Sequence, residues 1–230
     1  MALGDLDEVL RRSDPDRWLA SRFVLDPLIR ADLIALWSYD QELSRAERVA
    51  SAPLMAEIRL TWWREALDEI FAGRTVRRHP VALALAAAVQ RHNLARTSLE
   101  AMIDGRLEAL DAGPLGPEAA ALWARAVGGE EAVAAACILD ARASHTAISP
   151  AGEVWGLLRL RRSGRARGSD HDRQIRARLT QAARAARGVG PAAFPGIVCA
   201  TLARGDLGGG EMSALERRAR LLWSALSGRL

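Results

Sequence analysis

Two acid–proline pairs, Asp14-Pro15 and Asp26-Pro27, punctuate the start of this chain, and each is a helix-start signal with a mechanism. The acid accepts from the free N–H groups of the first helical turn, while proline presets φ at a position where its missing N–H costs nothing. After Asp26 the apolar residues Ile29, Leu33, Leu36 and Leu43 keep helical spacing. Pro53 opens a further helix with a predicted core stripe of Met55, Ile58, Trp62, Ala66 and Ile70. Later helices are predicted over Val81–Arg91, Ser98–Leu110, Pro117–Val127, Glu130–Ala143, Gly152–Arg161, Arg173–Arg187, Pro191–Arg204 and Ser213–Leu226. Glycines at 73, 113, 128-129, 188, 190 and 208-209-210 are the expected stops, because glycine accepts the left-handed conformation at a helix end. Alternating β-branched patterns, internal repeats and sustained heptads are absent. The expectation is an all-α protein, one helical bundle over residues 1–230 with room for a central cavity. After the triple glycine, residues 206–230 are expected to form a loosely attached C-terminal helix.

A chain of 230 residues can bury one sizeable core, and nothing in the composition requires a second domain. No apolar run approaches the roughly 20 residues of a membrane-spanning helix. The opening MALGDLDEVLRRSD lacks the basic lead and hydrophobic block of a secretory signal and the Ser/Arg-rich character of a transit peptide. A cytoplasmic location is therefore expected. All 32 basic residues are arginine, which a GC-rich genome explains as well as selection does. The net charge of +4 conceals a polarity: residues 150–230 carry 15 Arg against 6 acidic residues, whereas residues 1–149 carry 17 against 22. A basic C-terminal third suits a diphosphate, an anionic membrane face or a plain solvated surface. Nucleic acid is not expected, since the arginines lack interleaved aromatics and no nucleic-acid-binding motif accompanies them. Cys137 and Cys199 sit in apolar helical patterns and read as free thiols, and the four histidines share no ligand-like spacing.

The segment RLTWWREAL, within the two helical patterns from Trp37 to Ile70, resembles the squalene/phytoene synthase family. The similarity extends from about Asp16 to Arg204. It takes in RHPVALALAAAVQRHNL, MIDGRLEAL, GEVWGLLRLRRSGRARG and the closing IRARLTQAARAARGVGPAAFPGIVCATLAR. The resemblance implies the trans-prenyltransferase bundle and, in working members, condensation of two prenyl diphosphates by magnesium held on two DxxxD motifs. Where those motifs would fall, this sequence places Ser44 and Arg48, then Ser163 and Arg167. Guanidinium groups there oppose magnesium, which needs oxygen ligands and negative charge. The resemblance thus implies a catalytically degenerate binding or assembly scaffold, similar to the family's respiratory complex I assembly branch. Such a protein needs no cofactor, and its partner would be a membrane surface, peripherally at the inner membrane, or a respiratory-complex subunit. The alternative is an active head-to-head prenyltransferase in which magnesium is held by rearranged acids.

For that alternative the candidate acids are Asp40, Glu47, Asp104 and Glu108. Asp40 falls on the stripe of Leu33, Leu36 and Leu43, with Glu47 continuing it. A carboxylate there is costly unless paired, so it is either a cavity acid or half of a buried ion pair with an arginine such as Arg59 or Arg64. Asp104 and Glu108 form a surviving DxxxD-like pair, a spacing equally common on solvated helix faces, and Glu57 and Glu65 read as members of a surface ion-pair network. Arg159, Arg161, Arg162, Arg165 and Arg167 form the main basic cluster, suited to a prenyl diphosphate or a lipid headgroup, or else to a solvated loop. Trp62 and Trp63 differ by about 100° around a helix, so one faces the core and the other meets a second helix or a partner.

Overall fold

The computed structural model describes residues 3–49, 53–110, 113–208 and 212–230. Twelve labels cover its α-helices: α1 (Leu3–Ser13), α2 (Pro15–Ser21), α3 (Pro27–Val49), α4 (Pro53–Phe71), α5 (Pro80–His92), α6 (Arg96–Glu108), α7 (Pro117–Trp123), α8 (Glu130–Leu139), α9 (His145–Arg162), α10 (Ser169–Ala185), α11 (Leu202–Asp206) and α12 (Ala214–Ser227). No strand occurs among the described residues. Both acid–proline starts form: Asp14 accepts from the N–H of Arg17 at 3.1 Å, and Asp26 accepts from those of Leu28 at 2.7 Å and Ile29 at 3.2 Å.

α3 is the hub, packing on α1, α4, α5, α6 and α8. Leu33, Leu36, Trp37, Tyr39 and Leu43 are all buried along it. The stripe predicted for α4 is rotated from the real one. Ala56, Leu60, Trp63, Leu67 and Ile70 face inward with Ala66, whereas Met55 and Ile58 are exposed. Helical spacing places Trp62 inward in one register, but a register one residue further along fits the apolar pattern as well. Trp63 selects between them by packing edge-on against Tyr39 at 5.3 Å, and the Tyr39 hydroxyl donates to the Leu99 carbonyl at 3.0 Å. Trp62 is left at the wall of a cleft of about 410 Å3 with Ile58, Arg45, Arg59 and His79.

Gly128 and Gly129, expected to stop a helix, do not. The chain passes from α7 to α8 through a π-helical segment, Ala124–Gly129, that crosses α9 at very short range. A Cβ on Gly128 would lie 2.3 Å from the Gly152 carbonyl oxygen, and one on Gly152 would lie 2.2 Å from that of Gly128. The glycines are there for backbone approach. α9 in turn begins at His145, earlier than the predicted Gly152. The predicted helix over Pro191–Arg204 is replaced by short 3-10 turns, Phe194–Gly196 and Val198–Thr201, before α11, because Pro195 lacks a helical donor and Gly196 adds backbone freedom. Gly209 and Gly210 lie outside the described residues. Beyond them α12 starts with a Ser213–Glu216 capping box and buries Leu221 and Ser224, contacting α2 and the Val198–Thr201 turn. Cys199 is buried and Cys137 partly so.

Candidate functional site

A cleft of about 690 Å3 opens where the α1–α2 junction, α3, α9 and α12 converge. Its wall includes Asp14, Asp16, Ser44, Glu47, Trp123, Trp155, Arg159, Arg162, Ser163, Arg165 and Arg217. Both serines that stand at the first positions of the expected DxxxD motifs therefore face one cavity. The side chain of Arg48 lies outside the described ones.

Beneath this cleft is a buried ionic cluster centred on Asp40, whose side chain is 0% exposed. Arg17 Nη1 donates to Asp40 Oδ2 at 2.6 Å, Arg106 Nη2 donates to Oδ1 at 2.5 Å, and Arg159 Nη1 lies 2.8 Å from Oδ2. Arg17 also pairs with Glu131 from α8. The ion pair foreseen for Asp40 thus exists, but with arginines from α2, α6 and α9 instead of Arg59 or Arg64 of α4. Arg64 instead pairs with Asp104, and Arg59 lines the smaller cleft. Arg59 and Arg64 lie off the apolar inward face of α4, and their side chains are engaged elsewhere.

Burial alone would raise the Asp40 acid, yet Arg159, Arg17 and Arg106 hold its carboxyl well below the usual carboxylate range. Glu131 shows the opposite balance. Burial pushes its carboxyl up to about 7, with the charge of Asp40 adding to the effect and Arg17 and Arg159 opposing it. Aromatic rings help to hold the guanidiniums: that of Arg17 lies 5.6 Å from the Trp155 ring and 5.9 Å from Trp37, and that of Arg106 lies 5.7 Å from Trp123.

Ser44 shows what has become of the first motif position. Its hydroxyl accepts from Arg159 Nη2 at 2.6 Å and from Arg106 Nη2 at 3.2 Å. Two fixed cations of the chain occupy the space beside it. Glu47, one turn along α3, lies 3.5 Å from Arg106 Nε and accepts from Arg165 Nη1 at 3.2 Å. At the rim, Arg162 donates to Asp206 at 2.7 Å and to Asp16 at 3.1 Å, and Arg217 donates to Asp16 at 3.2 Å.

Of the candidate acids, Asp40 and Glu47 share this site, and Asp104 and Glu108 do not. Asp104 is half-exposed and paired with Arg64, and Glu108 is exposed. Of the basic run, Arg159, Arg162 and Arg165 line the cleft, Arg161 turns to Asp172 at 2.8 Å, and Arg167 is exposed and folds over Gly164. Glu65 and Glu69 pair with Arg77 in a surface network. Three members of the cluster were missed from sequence, namely Arg17, Arg106 and Glu131. Two carried a signal: Arg106 continues the apolar stripe Leu99, Met102, Ile103, and Glu131 that of Ala134, Ala135, Ile138.

The donor set does not suit magnesium. The metal requires several unencumbered oxygens, and here both Asp40 oxygens and the Ser44 oxygen are engaged by guanidiniums. Among the described residues no group of three or more His, Cys, Asp or Glu side chains is arranged to hold a metal ion.

Residues 10–163, more than half of the chain, match the sequence profile of squalene/phytoene synthases. The chain belongs to the squalene/phytoene synthase family. Among its relatives, NADH dehydrogenase (ubiquinone) complex I assembly factor 6 of Bos taurus is 32% identical over 104 residues, which is 45% of this chain and 31% of that protein. The human assembly factor is 30% identical over a segment of the same size. The matched segment thus spans about a third of these relatives' length. A dehydrosqualene synthase crystallised with a ligand superposes with a TM-score of 0.72 at 13% identity, covering 98% of this chain and 95% of that one. That likeness establishes the isoprenoid synthase fold. No described helix is long and apolar enough to cross a membrane.

Proposed function

We propose that this squalene/phytoene synthase family protein is a non-catalytic scaffold that serves assembly of a respiratory complex. The observation that carries the reading is the Ser44 position, where the hydroxyl is clasped by Arg106 and Arg159 while Asp40 is saturated by three guanidiniums. Tethered cations stand where synthase chemistry would call for exchangeable magnesium. They are held in place by Asp40, Glu131 and Glu47, so they do not move aside for a metal ion. The similarity to complex I assembly factor 6 supports the assembly role, with a respiratory-complex subunit as partner. The cleft then serves as a binding surface, and Arg159, Arg162 and Arg165 are the residues that would meet a phosphate or lipid headgroup entering it.

The test has two arms. Purified protein is incubated with farnesyl or geranylgeranyl diphosphate and magnesium, and extracts are analysed for C30 or C40 hydrocarbons. No product is expected; metal-dependent turnover lost in Glu47→Ala would overturn the non-catalytic reading in favour of a head-to-head prenyltransferase. In the second arm the protein is depleted from its native cell and respiratory complexes are resolved on native gels. Loss of assembled complex I is expected, and unchanged complexes would remove the assembly role.

A further inference from the structure

The last helix carries a face that the bundle does not use. Leu221 and Ser224 of α12 point inward, and Arg217 on the same side pairs with Asp16 and Asp206. On the other side Leu215, Ala219, Leu222 and Leu226 recur at helical spacing as one stripe, with Trp223 at its edge. Leu215 is 75% exposed, Leu222 50%, Trp223 73% and Leu226 77%. Scattered apolar residues on a surface are ordinary; four large ones aligned on a single helix face mark an interaction site.

Charge decides what covers it. At about 100° per residue, Arg218 borders the stripe on one side and Arg220 lies beyond Trp223 on the other. Both are exposed, as is Arg229 just past the helix. Among the described residues none of the three forms a close ion pair, and the one acid on the helix, Glu216, is engaged by Ser213 in the capping box with Arg220 nearby. The arginines at the cleft differ in this respect: Arg159, Arg162 and Arg165 are committed to Asp40, Asp206 and Glu47. The surrounding third of the chain is also basic, with 15 Arg against 6 acidic residues over positions 150–230. A second copy of the chain would bring two such arginine borders together, which like-charge repulsion opposes.

We infer that the outward face of α12 docks the protein on an anionic lipid bilayer. Leu222, Trp223 and Leu226 enter the boundary between headgroups and acyl chains, while Arg218 and Arg220 reach back to lipid phosphates. An amphipathic helix with an interfacial tryptophan and flanking arginines is the side-chain set such a surface binds. The surface is distinct from the cleft, and membrane docking stands whether or not the cleft supports turnover or assembly.

The test is co-sedimentation of the full chain with vesicles of phosphatidylglycerol and phosphatidylcholine, against phosphatidylcholine alone. Binding to the anionic vesicles is expected and should fall with salt. Leu222→Glu with Leu226→Glu should reduce it at least tenfold, and Arg218→Gln with Arg220→Gln by about fivefold per charge removed. These side chains are exposed, so circular dichroism and the melting temperature should be unchanged; a folded double-leucine variant that still binds like wild type overturns the inference. So does wild-type protein that ignores anionic vesicles. Light scattering that shows a dimer made monomeric by Leu222→Glu with Leu226→Glu would assign the face to a second copy instead, and specific capture of an acidic protein by this face without lipid binding would assign it to that protein.

Discussion

Replacing Asp40 by asparagine keeps the side chain's size and one carbonyl acceptor but removes the negative charge on which Arg17, Arg106 and Arg159 converge. The asparagine amide also points two N–H donors at guanidiniums that can only donate. Arg17 and Arg106 have side chains 2% and 0% exposed, so solvent cannot compensate them. Removing one partner of a buried ion pair costs about 3–5 kcal/mol. That is a large fraction of the roughly 5–15 kcal/mol by which domains are stable. For a chain of this size it corresponds to a fall in melting temperature of about 6–20 °C. Urea unfolding of wild type and Asp40→Asn at pH 7 measures the difference directly. Asp104→Asn is the control, because the Asp104–Arg64 pair is half-exposed and should be worth less than about 1 kcal/mol. The sign with pH follows from the depressed acid. Its contribution is present above the unfolded value, near 4, and is lost as pH falls toward the lower folded value. The Asp40→Asn variant should therefore lose its disadvantage only in acid. A deficit under about 1 kcal/mol at pH 7 would refute the view that the cluster is a tightly desolvated unit.

Glu131 should behave in the opposite sense. Its folded pKa, about 7, exceeds the unfolded value, so its share of stability is full below about 4.5 and is lost as pH rises through 7; Glu131→Gln should flatten that part of the stability–pH curve, read by denaturant titrations between pH 5 and 8. Restoring carboxylates with Ser44→Asp and Arg48→Asp should yield no magnesium-dependent turnover of farnesyl diphosphate, because Arg106 and Arg159 would pair with the carboxylate introduced at position 44; hydrocarbon analysis checks it. Gly152→Ala should cost about 1–3 kcal/mol or more, since its Cβ meets backbone 2.2 Å away across the crossing with Gly128. Gly113→Ala, with nothing within 4 Å of the new Cβ, should leave the thermal midpoint unchanged.

The sequence by itself determined the fold class and most helix starts, because caps, prolines and apolar periodicity act within a turn or two of chain. Asp14-Pro15, Asp26-Pro27 and Pro53 begin helices as they must, and the RLTWWREAL helix belongs to the family bundle its residues resemble. Sequence also placed Asp40 on a buried stripe, where it read either as a cavity acid or as half of a buried ion pair, and the structure shows the ion pair. What it left undecided depended on distance through space. Helical spacing put Trp62 in the core stripe, and the place went to Trp63 because of Tyr39, more than twenty residues away in sequence. The glycines at 128 and 152 needed each other across a helix crossing, where a local stop signal and a close-approach signal are the same residue. Above all, the partners of Asp40 came from α2, α6 and α9 because a buried charge accepts any cation the packing delivers, and no local spacing specifies which. Sequence already set guanidiniums against magnesium at the two motif positions; tertiary structure decided that the ones filling the site are Arg17, Arg106 and Arg159, because packing of distant helices brings them to Asp40 and Ser44.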